Sequence, residues 1–183
     1  MESGENAKAN ILLVEDTLTQ ALLMQHQLKK VGYTVKLARN AKAALDEIEK
    51  DANYDIILSD INMPGMDGFQ LCKELKQKDA SKHIPFILLA TPVEKCEILK
   101  MLECGAENFI LKAFDETTFL AKLAEILQTV QLRKAGSNKT VYAGEEVELA
   151  ANPPALADFL LSAYEMYLYQ LTKSAGQSEA AAP

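Results

Sequence analysis

The chain has 183 residues, 49% of them hydrophobic and 25% charged, with 8 Gly and 6 Pro. That balance supports a globular core, fits one ordinary domain with a remainder, and excludes wholesale disorder. Its formal net charge of −7 repels phosphodiester backbones, so nucleic-acid binding would need a local basic patch.

Residues 1–8 carry Glu2, Glu5 and Lys8 without an apolar run, which suits a flexible N-terminus and neither a secretory signal nor an anchor. No apolar run approaches the roughly 18 residues of a membrane span. From residue 9 to about 130, short apolar runs alternate with segments of helical period. Strands are expected at Asn10 to Val14, Tyr33 to Leu37, Tyr54 to Ser59, Pro85 to Ala90 and Asn108 to Leu111. Helices are expected between them at Thr17 to Val31, Ala41 to Asp51, Phe69 to Gln77, Glu94 to Cys104 and Glu116 to Gln128. Gly32 and Gly105 stand where helices should close, and Asp115 can cap the last one. Such alternation predicts an α/β fold, a doubly wound five-stranded parallel sheet with helices on both faces. Cys72, Cys96 and Cys104 form no Cys-x-x-Cys pair, so packed thiols in a reducing cytoplasm are expected rather than a disulfide framework.

Beyond this unit, 131–139 reads as a linker around Ala135-Gly136-Ser137-Asn138. The stretch 140–172 reads as a small appendix: a hairpin turning at Ala143-Gly144, then a helix introduced by Pro153-Pro154 and running to about Leu171. The tail 173–183, rich in Ala, Gly, Ser and Gln, has the composition of a disordered segment.

Carboxylates gather at the expected strand ends: Glu15 and Asp16 after the first strand and Asp60 after the third. In an open parallel sheet, ligands bind beyond the carboxyl ends of the strands. Taken singly, Glu15-Asp16 could be a turn, Asp60 a helix cap, and Lys112, after the fifth strand, a solvated loop lysine. Jointly they point to a shared pocket. Three converging acids need a cation among them, and hard oxygen ligands with room for water and a phosphate suit Mg²⁺. Lys112 can meet a phosphoryl oxygen as a point charge.

The loop Asp60-Ile61-Asn62-Met63-Pro64-Gly65-Met66-Asp67-Gly68-Phe69 adds a far more specific signal. With Val14-Glu15-Asp16, Ile84-Pro85, Gly105-Ala106 and Lys112, it makes residues 9–130 resemble the receiver domain of bacterial two-component response regulators. The resemblance implies a flavodoxin-like fold with Asp60 as the phosphoacceptor. It also implies Mg²⁺ binding by Glu15, Asp16, Asp60 and the backbone carbonyl of Asn62, with Lys112 on the phosphoryl group. Residue chemistry agrees, because a carboxylate can attack phosphorus to give an acyl phosphate while a metal neutralises charge on the transferring group.

Two positions depart from that family. Counted from Asp60, the switch Ser or Thr falls on Ala90, with Thr91 one place later, and the proline that usually follows the lysine is Ala113. Phe109 stands at the aromatic switch position without a tyrosine hydroxyl. His26, within Ala21-Leu22-Leu23-Met24-Gln25-His26, and His83, in a loop, are expected to be structural or solvated.

After Lys134 the acidic residues outnumber the two lysines, Lys139 and Lys173, which is the wrong sign for reading DNA. Val141 to Leu149, followed by Leu156 to Leu171, is similar to the connector after receiver modules in some multidomain sensor kinases. Leu156, Leu160 and Tyr167 form one apolar stripe of the expected helix, and Phe159 and Tyr164 occupy much of the rest. That helix must bury more than one face, on its own receiver, a second copy or a partner protein.

The expected function is therefore a cytoplasmic, non-enzymatic response regulator that takes phosphate from a histidine kinase or phosphotransfer protein, hydrolyses it slowly at most, and acts by protein contact. Binding to nucleic acid or membrane is not expected. A degenerate receiver serving as a phosphorylation-independent scaffold is the alternative raised by Ala90 and Ala113. An Mg²⁺-dependent hydrolase with an Asp nucleophile would want a second acid where Asn62 stands.

Overall fold

Ile11 to Val14 are wholly buried, as an apolar run must be when helices cover both faces of its sheet. The computed structural model describes residues 8–91, 100–101, 103–113, 115–136, 139–142 and 145–148. The expected flexible terminus, Cys96, the Ala143-Gly144 turn, the helix bearing Leu156, Phe159, Leu160, Tyr164 and Tyr167, and the tail 173–183 lie outside the described residues.

In chain order the elements are β1 (Asn10–Val14), α1 (Leu18–Lys30), β2 (Thr34–Ala38), α2 (Ala41–Lys50), β3 (Ile56–Asp60), α3 (Gly68–Gln77), β4 (Phe86–Ala90), β5 (Asn108–Leu111) and α4 (Glu116–Lys134). The five strands lie in the order β2-β1-β3-β4-β5, and every pairing is parallel. This is the doubly wound parallel sheet expected from the alternation, in the flavodoxin-like order that the resemblance implies. Its order reverses between β1 and β3, which opens the crevice beyond their carboxyl ends.

Side chains alternate across the sheet with period two. Leu12, Val14, Ile57, Phe86, Leu88, Ala90, Phe109 and Leu111 enter one core with Leu71, Cys72 and Leu75 of α3 and Ala41, Ala44 and Ile48 of α2. Ile11, Leu13, Ile56, Leu58, Ile87, Leu89 and Ile110 enter the other with Leu28 of α1 and Phe119, Leu123, Ile126 and Leu127 of α4.

Helix starts follow local chemistry. Asn40 Oδ1 accepts from the Ala43 N–H at 2.8 Å. Asp67 and Gln70 form a reciprocal capping box, with Asp67 accepting from the Gln70 N–H at 2.8 Å. Asp115 caps α4 by accepting from the Thr118 N–H at 3.0 Å. That bond and one from the Thr118 hydroxyl hold the Asp115 carboxyl below the usual carboxylate range. The cap is therefore complete above the carboxyl's unfolded pKa and is lost as pH falls through its lower folded value. Gly32 and Gly105 take positive φ, 96° and 86°, where only glycine avoids a Cβ penalty.

Several boundaries shift by a single residue, and three differences have a physical cause in the structure. β3 starts at Ile56 rather than Tyr54 because the Asp55 carboxylate accepts the Asn10 N–H at 2.9 Å, which occupies the ladder position ahead of it. It also runs through Asp60, so that residue is the strand's last. α4 continues to Lys134 and takes up the first part of the stretch expected as linker, because buried Leu127, Thr129 and Val130 carry its apolar face onward. Arg133 and Lys134 then suit its C-terminal dipole, and Gly136 ends the run at φ 79°. Of the helix expected at Glu94 to Cys104, residues 100, 101, 103 and 104 are described, and they are helical. The hairpin forms from β6 (Lys139–Tyr142) and β7 (Glu145–Glu148), antiparallel with Tyr142 opposite Glu145, and β6 lies close to α4.

Leu71 is completely buried between α3 and the sheet. Leu71→Ala should cost about 2–5 kcal/mol in a urea titration. A loss below about 1 kcal/mol would mean that this side of the core is not packed as described.

Candidate functional site

The site is built where three strands end. β1 delivers Glu15 and Asp16, and its pairing of Val14 with Ser59 sets them beside Asp60, the last residue of β3. β5 ends at Leu111 and delivers Lys112, whose N–H donates to the Ala90 carbonyl at 2.7 Å and so continues the ladder past the end of β4.

These registers bring the expected residues together. The Lys112 ammonium donates to Glu15 Oε2 at 2.7 Å, pairs with Asp60 Oδ1 at 2.9 Å, and reaches Gln20 Oε1 at 3.2 Å. Glu15 is fully buried and Asp60 is 6% exposed, so water screens these charges weakly. One carboxylate oxygen from each of Glu15, Asp16 and Asp60 lies within 4.8 Å of the others.

Backbone bonds fix the loop that carries the first two acids. The Arg39 Nε donates to the Glu15 carbonyl at 3.2 Å, and its guanidinium also bonds the Asp16 carbonyl. The Thr17 N–H donates to Glu15 Oε1 at 3.2 Å. Arg39 and Gln20 were not singled out from sequence, although Arg39 directly follows β2 and the strand-end rule covers it. Gln20 lies on α1 and gave no signal of its own.

The Asp60 side is held by close packing. The Gly68 N–H donates to the Ile61 carbonyl at 2.9 Å. A Cβ on Gly68 would stand 2.3 Å from the Asp60 carbonyl oxygen and 2.9 Å from the Ile61 Cα. Only glycine lets α3 approach the end of β3 this closely. Between them Gly65 turns the loop at φ 81°.

The remaining predicted positions surround this cluster. Asn62 is exposed on the loop leaving β3. Ala90 is completely buried and offers no hydroxyl, whereas Thr91 is exposed. Thr91 borders a cavity of about 410 Å³ shared with Gln20, Leu23, Met24, Lys112 and Ala113. Phe109 is buried in the core that also contains Ala90. His26 and His83 are exposed, apart from the cluster.

One ammonium against three carboxylates leaves the pocket anionic. A set of hard oxygens, one fully buried, with incomplete charge compensation is the donor chemistry that suits a hard divalent cation. No helix among the described residues is long and apolar enough to cross a membrane.

Comparison with known proteins agrees with this geometry. Residues 11–124 match the model of the response regulator receiver domain. The chain is 34% identical over 118 residues to the response regulator PleD of Caulobacter vibrioides, an alignment covering 64% of this chain and 26% of PleD. It is 30% identical over 120 residues to the chemotaxis protein CheY1 of Helicobacter pylori, covering 65% of this chain and 97% of that protein. Among solved structures, the signal receiver domain of a signal transduction histidine kinase from Syntrophus aciditrophicus superposes with a TM-score of 0.60 at 34% identity. That match covers 78% of this chain and 99% of the other. The chain thus spans about a quarter of PleD and nearly the whole of CheY1.

Removing the one ammonium should expose the electrostatic debt of the cluster. Lys112→Met leaves Glu15 buried without its partner, and about 3–5 kcal/mol of stability should be lost when no divalent cation is supplied. Urea titration reads the difference, and an unchanged midpoint would show that the lysine does not balance these acids.

Proposed function

The chain belongs to the response regulator receiver domain family, and we propose that it acts in a two-component phosphorelay with Asp60 as the residue that receives the phosphoryl group. The observation that carries this is the contact of Lys112 with both Glu15 and Asp60 at the mouth of the sheet crevice. A nucleophilic carboxylate and the cation that can receive the transferred group are already within hydrogen-bond distance.

In the proposed reaction an Asp60 carboxylate oxygen attacks the phosphorus of a phosphohistidine on a kinase or phosphotransfer protein. The P–N bond breaks, its electron pair returns to the imidazole, and an acyl phosphate remains on Asp60. Lys112 meets a phosphoryl oxygen, exchanging part of its contact with Asp60 for the new charge. The Arg39 bonds to the Glu15 and Asp16 carbonyls keep the acidic loop from recoiling. The apolar floor beneath Asp60 leaves solvent only one side of approach. Glu15, Asp16, Asp60 and the Asn62 carbonyl would hold Mg²⁺, which supplies neutralisation of the charge on the transferring group.

Output is proposed to pass through protein contact rather than DNA, since the segment after Lys134 is acidic. The chain is not proposed to turn over a substrate of its own beyond slow loss of its phosphate. Ala90, buried without a hydroxyl, favours a second reading in which phosphate is taken up but moves little, or in which the domain serves as a scaffold without it.

Acetyl phosphate separates these readings. With Mg²⁺, intact mass should show one added phosphoryl group that chelation prevents and Asp60→Asn abolishes, and phosphate retained on that variant would reject the assignment. Millimolar Mg²⁺ alone should raise the wild-type melting temperature by mass action. Absence of both the shift and the label would favour the scaffold.

A further inference from the structure

Two thiols that the acidic site does not use face one another between α3 and the helical residues before Gly105. Cys72 is completely buried, Cys104 is 7% exposed, and both are free. The Cys72 thiol donates to the Cys104 carbonyl at 3.4 Å. In its protonated form Cys104 donates to the Met101 carbonyl at 3.1 Å.

Access and surroundings separate the two sulfurs. A cleft of about 450 Å³ opens between the loop after β3 and the helical residues, lined among others by Asn62, Asp67, Lys73, Lys100, Glu103 and Cys104, while Cys72 lies behind it. Cys104 therefore borders the cleft, whereas Cys72 is wholly buried and outside its lining. The hydrogen bond from Cys72 holds the Cys104 thiol below its ordinary value against the effect of burial, and the Ala106 backbone N–H assists. The same partnership, with burial, pushes the Cys72 thiol up. Contact with the cleft thus falls on Cys104, with the Cys72 sulfur against its backbone.

We propose that Cys104 and Cys72 form a peroxide-oxidisable pair, in which Cys104 is the attacking sulfur, Cys72 the resolving one, and an intramolecular disulfide the product. The Cys104 thiolate attacks one oxygen of a hydroperoxide and the O–O bond breaks. Cys104 becomes a sulfenic acid, and the departing alkoxide or hydroxide takes the thiol proton. Cys72 sulfur then displaces hydroxide from the sulfenic sulfur, its own proton completing a water molecule. Two thiols lose two electrons together, and the hydroperoxide is reduced to an alcohol, or to water when it is hydrogen peroxide. The bond would tie α3, whose Gly68 backs onto Asp60, to the residues leading into β5 and Lys112.

The test uses the full, pre-reduced chain and near-stoichiometric hydrogen peroxide, followed by alkylation and peptide mapping. Wild type should lose both free thiols at these positions and two hydrogens of mass, with Cys72 cross-linked to Cys104. Cys72→Ser should stop at a sulfenic acid on Cys104, trapped by dimedone, and Cys104→Ser should give no adduct at Cys72. A dimedone time course on the wild type reads the same order without relying on either variant to fold. A first adduct on Cys72, a cross-link through Cys96, or both thiols still free after peroxide would each overturn the assignment.

Discussion

The Lys112 ammonium, set between Glu15 and Asp60 at 2.7 and 2.9 Å, is the contact on which the arrangement of the site depends. A buried carboxylate without a partner is costly, and one salt bridge returns its desolvation only when the geometry is good. Here the two acids come from β1 and β3 and the base from β5, so the interaction can form only if three parallel strands are in register. The sheet exists on hydrophobic grounds, but its upper edge has to be finished by this electrostatic match. Because Lys112 meets two of the three carboxylates and the Arg39 guanidinium bonds backbone carbonyls instead, the match is also incomplete. That deficit suits the pocket to a further cation.

The second constraint is distance. With no room for a Cβ between Gly68 and the Asp60 carbonyl, the start of α3 and the end of β3 behave as one rigid piece. The reciprocal Asp67 and Gln70 cap closes the same turn. Phosphorylation would therefore change charge at a place where the backbone on the β3 side has little freedom. On the β4 side, Ala90 is buried and has no hydroxyl to offer an added group. Lys112 joins that side twice, through its N–H to the Ala90 carbonyl and through its ammonium to the acids. Lys112 is thus the side chain that ties the acids of β1 and β3 to the end of β4.

The sequence made most of this fold legible because its strands are continuous apolar runs, and such runs are ambiguous only when helices and strands have similar lengths. Ile56 to Leu58 and Phe86 to Ala90 could hardly be anything but central strands, and the acids at their ends followed from the topology. Boundaries were less legible where a side chain replaces a backbone bond, as Asp55 does for the Asn10 N–H. The length of α4 was missed for a different reason. Its last turns mix buried Val130 with polar neighbours, and the glycine that stops it lies beyond the composition change that suggested a linker. Lys112 and Glu15 are separated by 97 positions, so their contact could be inferred from strand order but not from any local pattern. Arg39 and Gln20 show the limit more sharply, since their value lies in backbone carbonyls and a lysine that only the folded chain brings near.

The two cores divide the consequences of the site between them. The face covered by α1 and α4 is made of aliphatic side chains with Phe119, and it supports Glu15 and Asp60 from beneath without a polar group of its own except at its edges. The face covered by α2 and α3 holds Phe109, Ala90, Cys72, Cys104 and Met101, side chains that are small, sulfur-bearing or able to rotate. Dense aliphatic packing resists rearrangement, whereas thioethers, thiols and an aromatic beside an alanine offer the alternatives that a two-state change needs. Strand parity sets Glu15, Asp60 and Lys112 in line with Leu13, Leu58 and Ile110, so all three charged side chains rest on the aliphatic face, where Gln20 of α1 also meets the lysine, and the sulfur-bearing side chains lie across the sheet from them.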